Sequence, residues 1–171
     1  MKRIIALTLF AAMLLCLFGC ASKIDEPAEP VRFFYPRPTD SISFVQTDGA
    51  ITHEVRESAG HTGDHTYLLN LYVLGPSAEG LRNPFPSGTK VMLFEVRNGI
   101  ADIVLSEPFA RLTGMDLTVA CACLTLTIHQ LTGAQTVSIG VAGQQLDGQS
   151  RVTMQVENIL CNDTSALPDA G

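Results

Sequence analysis

Positions 4–18 form an apolar run broken only by Thr8, with Lys2 and Arg3 before it and polar Ser22, Lys23, Asp25 and Glu26 after it. A basic start, a short apolar stretch and small residues at the end make a secretory signal. The run falls short of the roughly 20 residues that span a bilayer core. Beyond position 30 the pattern changes to short alternations. Residues 31–35 are β-rich and closed by Pro36 and Pro38. In 41–46, Ile42 and Phe44 alternate against Ser41 and Ser43. In 51–57, Ile51, His53 and Val55 share one side. Asp48-Gly49 lies between the last two runs and predicts a hairpin joining them.

Asp64 is placed to cap a helix over about 65–74 with Leu68, Leu71 and Tyr72 as its apolar stripe, stopped by Gly75-Pro76. Residues 91–96 and 100–105 read as strands joined by Asn98-Gly99, a strong short hairpin signal. The stretch 116–131 fits two periods. Leu117, Cys121, Leu124, Ile128 and Leu131 suit a helix face, whereas Leu124, Leu126 and Ile128 also alternate with Thr125 and Thr127. Length favours the helix, and Gly133 supplies its stop. Strands follow at 136–141, with Val137, Ile139 and Val141 on one face, and at 151–157, with Val152, Met154 and Val156. The order helix, strand, strand, helix, strand predicts an α/β fold of two layers: a small sheet with two helices on one face, preceded by a short hairpin. The expected segments are a signal at 1–19, a Pro-bearing tether at 20–30, one domain at 31–160 and a flexible tail at 161–171.

Charge narrows the function classes. Loss of residues 1–19 leaves 9 basic and 17 acidic residues, a formal charge of −8 against −6 for the whole chain. No basic stripe is present, so nucleic-acid binding and adhesion to anionic headgroups are disfavoured. Cysteine usage leaves alternatives open. Beyond Cys16 and Cys20 stand Cys121, Cys123 and Cys161, an odd number. The first two sit in apolar sequence and read as small buried hydrophobes, with a bridge to Cys161 as the alternative.

Two resemblances add to this reading. Leu17-Phe18-Gly19-Cys20 resembles a bacterial lipobox, which implies that Cys20 is lipidated and becomes the first mature residue. Between 68 and 143 the motifs resemble those of the GerMN domain of spore-germination and sporulation lipoproteins. They are Leu74-Gly75-Pro76, Phe85-Pro86-Ser87-Gly88-Thr89, Asn98-Gly99-Ile100-Ala101, Leu105-Ser106 with Phe109, Thr125-Leu126-Thr127, and Val137-Ser138-Ile139-Gly140-Val141-Ala142-Gly143. Val104 stands where the family often has Asp. The resemblance implies a fold of the ring-building type and a role outside the cytoplasmic membrane, through envelope proteins or self-assembly.

Candidate chemistry is sparse. His61, Asp64 and His65 form the one local metal-like group, yet Gly60 and Gly63 set His61 ahead of the helix and no H-E-x-x-H pattern occurs. His129 lies in apolar sequence. No Gly-x-Ser-x-Gly elbow, P-loop or Gly-x-Gly-x-x-Gly is found. Asp25 and Glu26 sit in the tether, and Asp102, Glu107 and Asp116 are scattered. The expectation is a non-enzymatic interaction or assembly module without cofactor or metal. The alternative is a binder of, or enzyme acting on, cell-wall or small-molecule ligands, which a deep pocket lined by converging polar groups would favour.

Overall fold

A computed structural model describes residues 29–38 and 49–159 of the 171. The expected signal, most of the expected tether, the run at 41–46, Cys161 and the expected tail lie outside the described residues. Two strands come first, β1 (Pro30–Pro36) and β2 (Ile51–Glu57). Helix α1 (His65–Val73) follows, then β3 (Val91–Arg97) and β4 (Ile100–Leu105). A 3-10 turn (Glu107–Arg111) leads into helix α2 (Gly114–Thr132), β5 (Thr136–Val141) and β6 (Val152–Gln155).

The main sheet has the order β3-β4-β5-β6. The β3–β4 and β5–β6 pairs are antiparallel, while β4 and β5 run parallel with Ile100 opposite Thr136 and Leu105 opposite Val141. A parallel pair needs a crossover, and α2 provides it. Alternation settles which face is inside. Ala101, Ile103 and Leu105 of β4 and Val137 and Ile139 of β5 are fully buried. They share one core with Leu68, Leu69 and Tyr72 of α1 and Leu117, Cys121, Leu124 and Ile128 of α2. Both helices therefore cover the same face of the sheet, as the element order predicts.

The ambiguous stretch is helical. Its 19 residues are long and apolar enough to cross a membrane by composition alone, but Ala120 through Ile128 are buried inside the domain. The cause is a second covering layer. The β1–β2 hairpin packs on the opposite side of α2, where Phe34 meets Leu126 and Val156. A helix between two sheets is apolar all round, which blurs its periodicity and lets it mimic a strand. It ends where Gly133 takes φ 72°, the left-handed conformation that a Cβ disfavours.

The N-terminal pair of strands brings together two runs that lie apart in the sequence. Residues 51–57 pair with β1, Val31 opposite Arg56 and Phe34 opposite His53, while the expected partner at 41–46 lies outside the described residues. Burial explains why β1 is held in this pair. Val31, Phe33, Phe34 and Tyr35 all lie below a tenth exposed, so β1 fills both the main core and the small cluster behind α2.

Candidate interaction surface

The β3–β4 hairpin turns through Asn98 (φ 51°) and Gly99 (φ 76°), a two-residue turn whose twist matches the strands. A Cβ on Gly99 would touch nothing within 4 Å, so a substitution there meets only backbone strain. Gly99→Val is expected to cost about 1–2 kcal/mol, measured as a lower thermal midpoint; an unchanged midpoint would contradict the strained turn.

At the other end of the hairpin the motif residues form a latch. Thr89 Oγ1 donates to Pro86 O at 2.7 Å. The Lys90 amide donates to Ser106 Oγ at 2.8 Å, and the Ser106 amide returns a bond to Lys90 O at 2.9 Å. Ser106 Oγ also reaches Gly88 O at 3.3 Å. Pro86-Ser87-Gly88-Thr89 and Leu105-Ser106, far apart in sequence, thus close one junction. Their chemistry is structural.

Among the described residues, no helix covers the outer face of the sheet. Arg151 lies across it, donating from Nε to Ser138 Oγ at 2.7 Å and pairing with Asp102. Gly140 makes room for this, since a Cβ there would sit 3.4 Å from the guanidinium carbon. Toward β3 the face becomes apolar. Leu93 is opposite Val104, and Arg97 is opposite Ile100. Met92, Leu93, Ile100 and, on the helix side of β3, Val96 are 41–60% exposed, half of all the exposed large hydrophobic residues in the described chain. That concentration marks the β3 side as the surface to explain.

Among the described residues, no strand pairs with the outer edge of β3. Its first half is guarded. Asn70 Oδ1 accepts from the Val91 amide at 3.0 Å, and a register shift between Val91 and Leu93 sets Met92 out of the ladder. The half from Phe94 to Arg97 is open. Beside it runs a shallow groove of about 450 Å³ between the start of α1 and the end of α2, with Phe94 and Val96 on its β3 side and His65, Leu131 and Thr132 on the helices.

The polar groups of this groove are committed to other partners. Asp64 Oδ1 accepts from the Tyr67 amide at 2.9 Å and caps α1, as its position in the sequence predicts. Glu95 pairs with Arg97 at 2.6 Å. The sequence-predicted cluster separates: His61 stacks on Tyr67 with centroids 3.9 Å apart, whereas His65 meets Phe94 edge-on at 6.1 Å. Among the described residues, no three His, Cys, Asp or Glu side chains stand together as metal ligands. His129 Nδ1 bonds Ala134 O at 3.0 Å across the helix end. Cys121 and Cys123 are buried on α2, and burial pushes the Cys121 thiol up to about 12. Asp116 faces Arg82 at 3.5 Å. Cys20 lies outside the described residues. Sequence reasoning did not find Arg151 or the open half of β3. The run at 91–96 reads only as a strand, and topology alone makes it an edge.

Residues 32–147 match the family model Germane, sporulation and spore germination. The tandem GerMN domains of the sporulation protein GerM from Bacillus subtilis share the fold with a TM-score of 0.56 at 16% identity, covering 77% of this chain and 47% of that one. The first GerMN domain of the same protein aligns with a TM-score of 0.47 at 15% identity, over 70% of this chain and 91% of that one. A Clostridium perfringens protein described as a candidate lipoprotein aligns with a TM-score of 0.47 at 21% identity, over 76% and 89% of the two chains. No curated protein matches the sequence. The family match takes in both helices, the latch and the β3–β4 hairpin, and the chain belongs to the Germane family of sporulation and spore-germination domains.

Proposed function

We propose that the protein is a lipid-anchored, extracytoplasmic assembly module of the cell envelope, acting by protein contact and not by catalysis. One observation carries this reading: the exposed apolar side chains gather on the β3–β4 hairpin beside an open strand edge. The lipobox-like sequence ending at Cys20, ahead of a Pro-bearing tether, supports attachment to the outer side of the membrane. Two or more acyl chains on one cysteine suffice for lasting anchorage, whereas one holds marginally. Membership of the Germane family supports work in sporulation or germination.

Cys20→Ser is expected to move the protein from the membrane pellet to the soluble fraction while its circular dichroism stays native. A variant that remains in the pellet would contradict the anchor. For the module itself, the tagged lipidated chain is captured from detergent-solubilised host membranes. Recovery of an envelope protein, or of a second copy, that is lost on Ile100→Asp supports the reading. Capture of neither would overturn it.

A further inference from the structure

The open half of β3 has a charge pattern that fits its own copy. Glu95 and Arg97 lie two apart, so both project on the outer face, with Val96 between them on the helix side. The two-residue turn closes on Arg97 and Ile100, and hydrogen-bonded pairs alternate along an antiparallel ladder. Arg97 and Glu95 therefore bond inward to β4, while Phe94 and Val96 turn their N–H and C=O groups to the free edge. Asn70 on the Val91 amide and the displaced Met92 leave an incoming strand only this half.

We propose that two copies of this chain pair here, β3 against β3 and antiparallel, about a two-fold axis at Val96. The assignment rests on the reading of the domain as an assembly module and names its partner. In this register each Glu95 stands opposite the partner's Arg97, twice over. Val96 meets the partner's Val96 at the mouth of the groove whose floor holds Phe94. Pairing about Glu95 would instead set two carboxylates face to face, which cross-strand electrostatics disfavours. An isologous contact of this kind closes at two copies, and it joins two four-stranded sheets into one of eight strands. Val96, 41% exposed in the single chain, becomes covered.

The test uses the full lipidated chain in its host membranes, with Val96→Cys and a short thiol-to-thiol crosslinker; Leu74→Cys, 75% exposed at the end of α1, is the control. A Val96-dependent dimer absent from the control is expected. Glu95→Arg or Arg97→Glu in that background should lower its yield about tenfold, since each turns two attractive pairs repulsive. The double reversal, or an equal mixture of the two single reversals, restores opposite charges at both positions and should restore the dimer. Arg97 is exposed and Glu95 half-buried, so native circular dichroism of each reversal separates lost pairing from lost fold. Three results overturn the proposal: no dimer, a dimer indifferent to the reversals, or an adduct with a different protein. The first and last leave the assembly reading standing wherever membrane capture still recovers an envelope partner, so the two ideas fail separately.

Discussion

Glu54→Ala is expected to destabilise the protein by about 3–5 kcal/mol, the range for stripping one partner from a buried ion pair. Glu54 and Arg56 point the same way from β2, and their side chains are 6% and 14% exposed. The pair does more than neutralise itself. The Glu54 carboxylate accepts from the amides of Ser77, at 3.0 Å, and Ala78, at 2.8 Å, while Arg56 donates to Gly75 O at 2.6 Å. The guanidinium also sits 5.3 Å from the centre of the Phe33 ring. Together the two side chains clasp the chain leaving α1 to the N-terminal hairpin.

The two halves of the clasp should not be equal. Removing Glu54 strands a cation against Phe33 with one carbonyl for company. Removing Arg56 leaves a carboxylate still held by two amides, and charge-assisted bonds of that kind are strong. Arg56→Met should therefore cost less than Glu54→Ala. A joint Glu54→Leu and Arg56→Met replacement should recover most of the loss, because Ser77 and Ala78 are exposed and water can take over their amides. Denaturant midpoints at neutral pH measure all three. Equal losses for the two single variants, or a double variant as weak as Glu54→Ala, would sink the argument.

The same residues show what a linear pattern hides. Alternation in 51–57 marks Ile51, His53 and Val55 as the apolar side of β2, yet Val55 is 57% exposed and Glu54 is buried. The strand presents its charged side inward because the loop after α1 has amides and a carbonyl that need partners. That demand comes from residues 75–78, some twenty positions on, and no window of β2 contains it. Features that depend on local chemistry were legible. Asp64 caps α1, Asn98-Gly99 turns the β3–β4 hairpin, and Gly133 ends α2. Features that depend on which element becomes the neighbour were not. The exposed edge of β3, the pairing of β1 with β2, and the second cover on α2 are all set by long-range packing. The candidate surface belongs to this second group, since exposure of Val96 and Ile100 follows from sheet order and not from hydropathy.

Tyr72 is expected to give the other large effect, and in two separable parts. Its ring is fully buried among Phe33, Tyr35 and Phe85, with centroids 5.0–5.4 Å away. Its hydroxyl donates to Phe34 O at 2.7 Å, and the Phe34 amide donates to Thr127 Oγ1 at 3.0 Å. The far edge of β1 is thus satisfied by side chains of α1 and α2 where a sheet would supply a strand. Tyr72→Phe keeps the ring and orphans one buried carbonyl, for about 1–3 kcal/mol. Tyr72→Ala adds a cavity worth about 3–5 kcal/mol, enough to threaten a domain whose whole stability is of order 5–15 kcal/mol. Denaturant midpoints should rank wild type, Phe and Ala in that order, and a Phe variant as stable as wild type would show that the Phe34 carbonyl needs no partner. A titration checks the burial itself. Desolvation raises the phenols of Tyr72 and Tyr35 above their ordinary 10.0, and it raises the Cys121 thiol from 9.0 to about 12. Acids whose folded values are raised hold their protons more tightly when folded, so their contribution is complete below about pH 9 and is lost as the pH climbs through the folded values. Tyrosinate absorbance from Tyr35 and Tyr72 should therefore appear together with the loss of ellipticity on alkaline unfolding. Ionisation of both in a protein that keeps its native ellipticity would place them at the surface and remove the basis for the ranking.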